Sequence, residues 1–279
     1  MATDSLPDVL RLEEVDAGRY RVHQPDTSPE GRDVVFGGQL LAQMLMAADA
    51  ANAGAKDVKS IHAIFARAGT YTQPIELVVD QMQSGRTWAS HAITAVQNDR
   101  LLCRSLVLSS IDDPDLMRHG PAMPAAKAPG SGPAAIMAFD GTVTSDAGPA
   151  DRSDGVPRSQ FWHRYEGSVD SVAASQAILS WATNGALIGL AMEPHRDTVD
   201  ISQAHVSIST GVIGHTINFH ERFDVGSWLL INQEAIYAGR GRVHGRGSVF
   251  TEDGGLVATF SQDSMARKVE TTLDPKHSM

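Results

Sequence analysis

The sequence lacks several features that would place a protein in a cellular compartment other than the cytoplasm. It has one cysteine, Cys103, which cannot form an intrachain disulfide, so a reducing compartment is expected. No run of about 18 apolar residues is present, which argues against a transmembrane helix. The start of the chain has no basic region followed by an apolar segment, which argues against a signal peptide. These absences predict a cytoplasmic protein with no membrane partner.

An excess of positive charge is also lacking. The 279 residues include 23 basic and 33 acidic side chains, which give a formal net charge of −10. A nucleic-acid-binding surface needs a basic excess to displace counterions, so no nucleic-acid partner is expected. An anionic small ligand is compatible with this charge where basic residues gather locally.

Motifs of several common enzyme chemistries are missing. The sequence has no Gly-x-Ser-x-Gly nucleophile elbow, Walker A loop, His-Glu-x-x-His helix, paired-cysteine site or Gly-x-Gly-x-x-Gly turn. Its 11 histidines do not show the spacing of metal ligands, so no metal site is predicted. No bound cofactor is predicted either.

The sequence does contain the same order of predicted secondary-structure elements twice. In the first half, an alternating segment precedes Gly37-Gly38 and a segment rich in Leu, Met and Ala, which predicts a mostly buried helix. After residue 158 a strand, an apolar helix and a strand meander return. The predicted helices are residues 39–51 and 173–192, and the predicted strands are residues 19–23, 60–66, 75–83, 88–97, 101–110, 161–166, 205–220, 228–237, 242–251 and 256–264.

The pattern predicts a long helix wrapped by an antiparallel sheet, and it predicts this unit twice. Two such units form an α+β double hotdog. A single hotdog leaves its helix and a sheet edge uncovered, whereas two fused copies pair edge to edge. The prediction is therefore an N-terminal hotdog at 1–110 and a C-terminal hotdog at 159–279. Residues 111–158 are rich in Pro, Ala and Gly, whose clusters cannot build a regular element, so we expect a connector that is partly mobile.

Short motifs in a consistent order carry a family resemblance. In the first half they are Val35-Phe36-Gly37-Gly38-Gln39, His62-Ala63-Ile64-Phe65-Ala66-Arg67-Ala68-Gly69 and Ser84-Gly85-Arg86-Thr87-Trp88. In the second half they are Trp181-Ala182-Thr183-Asn184, Glu193-Pro194-His195 and the stretch from Leu256 to Asp263. Over roughly residues 10–110 and 160–268 the chain resembles the type II acyl-CoA thioesterases, although Ala68 stands where that family usually has a proline.

The resemblance implies hydrolysis of acyl thioesters by a water that an Asp, a Ser or Thr, and a Gln of the second hotdog position. Gln262 stands at the position of the family Gln, and Asn184 stands at the position of the Asp. The Ser/Thr position, two residues before Gly214-His215, is held by Val212. Thr210 and Ser209 lie just upstream, and a small register shift could bring one of them into place, with Thr210 as the candidate catalytic hydroxyl. The missing Asp implies slow turnover or a base not yet identified.

The residues themselves support a polar site but leave alternatives open. Asn184 ends a polar stripe on an apolar helix, whose other members are Gln176, Ser180 and Thr183. Asn cannot act as a base, but it can orient water. A solvent-facing helix would show the same stripe. Gln262 lies among apolar residues, where an unpaired amide costs about 1–3 kcal/mol, so a site role is favoured over an exposed edge. His215 has three interpretations: a general base, a metal ligand or a structural histidine. The repeat matches His62 of the first half with His215, and Leu108 with Gln262.

Two further segments are candidates for contacts with coenzyme A. Gly37 and Gly38 would present backbone N–H groups to the thioester carbonyl, or they are tight-turn residues. A basic strip alternates along one strand face and suits the coenzyme A phosphates, with a solvated face that balances nearby acids as the alternative. The strip consists of Arg240, Arg242, His244 and Arg246.

Three functions are therefore compared. The first is an acyl-CoA thioesterase that releases a carboxylic acid and coenzyme A, the latter being part of the substrate. The second is an acyl-CoA-binding hotdog protein without efficient turnover. The third is a hotdog hydratase or dehydratase, whose Gly-Asp-x-Asn-Pro-x-x-His stretch is absent. A homo-oligomer is expected in each case, because hotdogs usually associate further.

Overall fold

The computed structural model describes most of the chain. The described residues are 6–22, 24, 33–130, 141–148, 150, 154–200 and 207–269. Their helices are α1 (Leu6–Val9), α2 (Gly37–Ala51), α3 (Val172–Ala182) and α4 (Ala186–Met192), followed by a 3₁₀ turn at Glu193–His195. Their strands are β1 (Leu12–Asp16), β2 (Arg19–Val22), β3 (Asp57–Phe65), β4 (Ile75–Ser84), β5 (Trp88–Gln97), β6 (Arg100–Ser110), β7 (Thr142–Asp146), β8 (Arg158–Tyr165), β9 (Ile208–Phe219), β10 (Leu229–Gly239), β11 (Arg242–Thr251) and β12 (Leu256–Lys268).

The described strands form one antiparallel sheet in the order β1-β2-β4-β5-β6-β3-β9-β12-β11-β10-β8-β7. This order is symmetric about the β3–β9 pair, because each strand of the first half has a counterpart at the same distance on the other side. In the central pair Ile61 lies opposite Ile217, and Ala63 lies opposite His215. The junction pairs the sheet edge that each half would otherwise expose. The predicted α+β double hotdog is confirmed.

The core lies where α2 and α3 pack against each other and against the sheet. Leu41 of α2 and Leu179 of α3 are fully buried, as the apolar circumference of both helices predicts. The start of α3 is capped by Ser171, whose Oγ accepts a 3.1 Å hydrogen bond from the Ala174 N–H. In contrast, α2 begins after Phe36 without a side-chain cap. None of the described helices is long and apolar enough to cross a bilayer.

The single helix predicted over residues 173–192 is wrong, because α3 ends at Ala182 and α4 begins at Ala186. Between them Gly185 has a φ of 101°, in the left-handed region that glycine adopts readily. The apolar residues on all sides give no periodic signal for this boundary. The Asn184-Gly185 dipeptide is the turn signal in the sequence that coincides with this break. The break places Asn184 at the junction of two helices.

The described part of the predicted connector, residues 111–158, includes the strand β7. β7 pairs with β8 at the edge of the sheet, as β1 pairs with β2 at the opposite edge. The chain that precedes β7 crosses the outer face of the second half, where Trp162 Nε1 donates a 2.7 Å hydrogen bond to the Lys127 carbonyl oxygen. β7 was not predicted because clusters of Pro and Gly, which favour turns and loops, flank it on both sides. Part of the segment predicted to be mobile, residues 131–140, 149 and 151–153, lies outside the described residues.

The other predicted elements match the structure with small differences at their ends. Helix α2 begins at Gly37, before the predicted start, and β12 continues to Lys268, beyond the predicted end. β1 was not predicted. His23 and residues 205–206, at the ends of two predicted strands, lie outside the described residues.

Candidate active site

The N-terminal end of α2 packs against the end of α3, and Asn184 lies at this contact. Its side chain is fully buried, and within the described chain neither Oδ1 nor Nδ2 has a hydrogen-bond partner. A methyl group on Gly37 would lie 3.3 Å from Asn184 Oδ1, and one on Gly38 would lie 2.9 Å from the Trp181 carbonyl oxygen. Glycine at these two positions therefore lets the uncapped first turn of α2 approach Asn184 closely.

Gln262 joins this contact from the sheet. Its side chain is buried, and its Oε1 accepts a 2.8 Å hydrogen bond from the Gly185 N–H that the helix break leaves free. Its Nε2 donates a 2.8 Å hydrogen bond to Ser264 Oγ. Because a backbone N–H can only donate, the contact with Gly185 fixes which end of the amide is the oxygen. The structure thus brings Gln262 and Asn184 together through Gly185.

His215 lies directly across the ladder from Gln262. Its ring is buried and stacked on Phe260, with 5.9 Å between ring centroids and 11° between planes. Its Nε2 is 3.4 Å from Thr183 Oγ1, whereas its Nδ1 has no hydrogen-bond partner in the described part of the protein. Burial lowers the pKa of His215 to about 4, with the Gln262 side chain acting in the opposite direction. The imidazole is therefore neutral at pH 7 and able to accept a proton.

The described residues of the first half form no equivalent polar pair. There the inward-facing residues at the corresponding place are Ile61 and Val107, which lie opposite each other and are buried. The predicted equivalents, His62 and Leu108, are exposed on the outer face. That match was wrong because a shift of one residue along a strand moves a side chain to the opposite face of the sheet. Sequence matching alone does not detect such a shift.

Thr210, the predicted hydroxyl, is not brought to the cluster. It lies opposite Ala266, four residues along β12 from Gln262, which is about 13 Å at the usual rise of a strand. Val212 lies opposite Ser264. The hydroxyl groups that do contact the cluster belong to Ser264 and to Thr183, which the sequence did not single out as catalytic.

The rest of the predicted polar stripe on α3 is structural. Gln176 Nε2 donates a 2.9 Å hydrogen bond to the Val58 carbonyl oxygen of β3. Ser180 Oγ donates to the Gln176 carbonyl oxygen one turn back, at 2.8 Å. Both side chains are buried, so the stripe does not face solvent.

The basic strip lies on the other side of the sheet. Gly245 faces inward opposite Gln262. Arg242 and Arg246 are each an odd number of residues away from it along β11, so they face outward. Arg242 pairs with Asp263 at 3.3 Å, and Arg246 pairs with Glu234 at 2.7 Å. The structure does not bring the strip and Asn184 to the same face.

Arg240 differs from the rest of the strip. It lies in the turn between β10 and β11 with a φ of 52°, and it is exposed. Among the described residues it has no ion-pair partner.

The Asn184–Gln262–His215 cluster is enclosed in this structure. A surface cavity of about 610 Å³ lies between the N-terminal segment and the loop that contains Tyr71, and a second of about 420 Å³ lies beside Pro194. Neither is lined by a residue of the cluster. Within the described ranges no group of three or more His, Cys, Asp or Glu side chains is placed to hold a metal ion.

Two family models match the chain in sequence order. Residues 24–110 match the acyl-CoA thioesterase N-terminal domain, and residues 116–266 match the acyl-CoA thioesterase C-terminal domain. The chain belongs to the acyl-CoA thioesterase family. It is therefore a thioester hydrolase by class, and the resemblance inferred from the sequence is confirmed. The C-terminal family domain begins inside the predicted connector, residues 111–158.

Relatives of similar length support the same family. The chain is 27% identical to Acyl-CoA thioesterase 2 of Haemophilus influenzae over 95% of this chain and 97% of the relative. It is 25% identical to human Acyl-coenzyme A thioesterase 8 over 93% of this chain and 88% of the relative. The crystal structure of acyl-CoA thioesterase II TesB2 from Mycobacterium marinum matches with a TM-score of 0.83 at 23% identity, covering 95% and 99% of the two chains. At that identity the structural likeness shows the fold.

Proposed function

We propose that Asn184, Gln262 and His215, together with the first turn of α2, hydrolyse acyl-CoA to a free carboxylic acid and coenzyme A. The observation that carries this proposal is the buried side-chain amide of Asn184, which has no hydrogen-bond partner among the described residues and lies beside an uncapped helix N-terminus. A buried polar group left unpaired costs about 1–3 kcal/mol. A water or a substrate carbonyl at this place could form hydrogen bonds with the Asn184 side chain and with the free N–H groups of the first turn of α2.

The first turn of α2 is proposed to bind the thioester carbonyl oxygen. The N–H groups of Gly37 and Gly38 lie at the positive end of the helix dipole, where developing negative charge is stabilised. Asn184 Oδ1, on the other side of the contact, would accept a hydrogen bond from the attacking water. Gln262, whose side chain is held by the Gly185 N–H, would form a second hydrogen bond to that water.

His215 is proposed as the proton acceptor. Among the three side chains of the cluster it alone can take up a proton, because an amide nitrogen is not a base. As water oxygen bonds to the carbonyl carbon, a proton passes from the water to His215. When the carbon–sulfur bond breaks, the same proton returns to the departing thiolate. No separate cofactor is required by this scheme.

Release of free thiol from a series of acyl-CoA substrates tests the proposal. The wild-type protein should release thiol, and Gln262→Ala and Asn184→Ala should lower kcat by about a hundredfold, as for the loss of a positioned polar group at a reacting centre. Gln233→Ala is the matched control, since Gln233 is also buried in a strand but donates to Ser159 Oγ at 3.1 Å. Activity that is equal in all three variants would overturn the proposed site.

The alternative is an acyl-CoA-binding protein without efficient turnover. Asn184 favours it, because the amide stands where the family resemblance places an Asp. Tight binding of acyl-CoA without thiol release by the wild-type protein would support this alternative. A hydratase or dehydratase would instead change the alkene of an enoyl-CoA and release no thiol.

Further properties are proposed from the surface. Arg240 is the remaining candidate for a coenzyme A phosphate contact, because Arg242 and Arg246 are already paired with acids. The outer face of the first half exposes Leu106 and Leu108, which supports a homo-oligomer that covers this face. A monomeric mass by light scattering would contradict the proposed homo-oligomer.

The proposed location is the cytoplasm, which fluorescence microscopy of a tagged protein would test.

A further inference from the structure

Ser264 is a buried hydroxyl in the inner face of β12. It is fully buried, and its Oγ accepts the 2.8 Å hydrogen bond from Gln262 Nε2. The opposite end of the same amide is held by the Gly185 N–H at 2.8 Å. The Gln262 side chain is therefore fixed at both ends, and Ser264 provides one of the two contacts. Having accepted this bond, the hydroxyl can still donate its own proton.

A β-bulge places Ser264 beside the position where the family resemblance expects a hydroxyl. On β9, Gly214 lies opposite Asp263, but Val212 lies opposite Ser264, so Ile213 is the extra residue. The bulge turns Val212 to the same face as His215, although the two are three residues apart. Directly opposite residues have Cβ atoms about 4.5–5.5 Å apart. A hydroxyl on either strand of this pair therefore reaches the same part of the cluster.

The other hydroxyl groups are less suited to this role. Thr183 Oγ1 donates to the Ser180 carbonyl oxygen at 3.2 Å and contacts His215, so it is committed to the helix end. Thr210 lies opposite Ala266, away from Gln262.

We propose that Ser264 is a positioning residue of the hydrolytic site, which supplies from β12 the hydroxyl that position 212 of β9 lacks. The inference rests on the proposed function, because it assigns Ser264 to the orientation of Gln262 during hydrolysis. Without Ser264 Oγ, the Gln262 amide loses the hydrogen bond that holds its Nε2, and its Nε2 end can move about the contact with Gly185. The loss should therefore lower kcat more than it changes KM.

Relocation of the hydroxyl tests the proposal. Ser264→Ala should lower kcat by about fivefold to tenfold, the usual effect of one lost hydrogen bond, with KM changed less than kcat. Ser264→Thr should keep most of the activity. The double variant Val212→Thr, Ser264→Ala returns a hydroxyl from the opposite strand, with a side chain of the same shape as valine, and should regain most of kcat. A purely structural effect of Ser264→Ala would not be repaired by this second substitution.

Ser109→Ala is the matched control, because Ser109 is a fully buried serine of β6 whose Oγ has no hydrogen-bond partner in the described residues. It should leave kcat unchanged, and thermal melting of all variants should show that each is folded. Wild-type activity with an unchanged kcat in Ser264→Ala would overturn this inference alone, as would a double variant no more active than Ser264→Ala. A wild-type protein that releases no thiol would overturn the proposed function and this inference with it.

Discussion

The side chain at position 184 determines whether the cluster has one proton acceptor or two. Asn184 is an amide, so the proposed base is His215 alone. Asn184→Asp would add a carboxylate beside the N-terminus of α2, where the helix dipole stabilises negative charge. We expect kcat for acyl-CoA hydrolysis to rise by about tenfold, because a positioned general base contributes at least that much. Thiol release under saturating substrate measures it.

Asn98→Asp is the control for this substitution. Asn98 lies in the exposed β5–β6 turn, where the left-handed backbone suits Asp as well as Asn. It should leave kcat unchanged. A lower kcat in Asn184→Asp, with the melting temperature preserved, would show that the amide N–H of Asn184 is needed and that a carboxylate is not.

At the same scale, the sequence predicted part of the cluster. The resemblance identified Asn184 and Gln262, and the structure links the two positions through Gly185. Ser264 was missed because a serine in a strand carries no signal of its hydrogen-bond partner. The sequence predicts Thr210 because it is near Val212. The bulge at Ile213 determines which residues of β9 face the cluster, and no sequence pattern indicates it.

At the scale of elements, the close approach of α2 to α3 depends on Gly38. A methyl group there would lie 2.9 Å from the Trp181 carbonyl oxygen and 3.1 Å from Asn184 Cβ, so Gly38→Ala must push the helices apart. We expect a loss of about 1–3 kcal/mol in the free energy of unfolding, typical of overpacking. We also expect kcat to fall, since the first turn of α2 moves away from Asn184. Urea unfolding and thiol release measure the two effects.

Gly189→Ala should act in the opposite direction and serves as the matched control. Gly189 lies within α4, and a methyl group there meets no atom within 4 Å. Because alanine favours a helix over glycine, the variant should gain up to about 1 kcal/mol. A Gly38→Ala protein as stable and active as the wild type would contradict the proposed role of this helix contact.

Elements were predictable where hydrophobic periodicity is strong. The meander β4–β5–β6 and helix α2 follow from alternation and from Leu, Met and Ala content, and they were found within small end differences. The break at Gly185 was missed because α3 and α4 are both buried and apolar. β1 and β7 are short strands at the ends of the sheet, where only pairing with a neighbour distinguishes them from loops.

At the scale of the whole molecule, the two halves share a frame but differ in chemistry. The strand order is symmetric about β3–β9, yet the inward pair is Ile61 with Val107 in one half and His215 with Gln262 in the other. The first half instead contributes the N-terminus of α2. The proposed site therefore needs both halves, which explains why the fusion of two hotdogs matters for function as well as for covering a sheet edge.

The continuous sheet also couples the acid sensitivity of one half to the stability of the whole molecule. Burial lowers the pKa values of His163 and His215, both in the second half, to about 4, below the value of about 6.5 in an unfolded chain. Between pH 6.5 and 4 the unfolded state therefore binds more protons than the folded state. The free energy of unfolding should fall as pH is lowered through this window, by on the order of 3 kcal/mol for each histidine at its lower end.

Urea unfolding at several pH values from 7 to 4.5, followed by circular dichroism and by tryptophan fluorescence, measures this dependence. One transition should be seen by both probes, because the β3–β9 pair and the α2–α3 contact join the halves. His163→Leu should show a shallower dependence on pH than the wild type, since one of the buried imidazoles with a lowered pKa is removed. His119→Gln, at an exposed position, should retain the wild-type slope. A free energy of unfolding that is constant between pH 6.5 and 4.5 would mean that these histidines are not buried as neutral rings, and the proposed state of His215 as a free base would then be wrong.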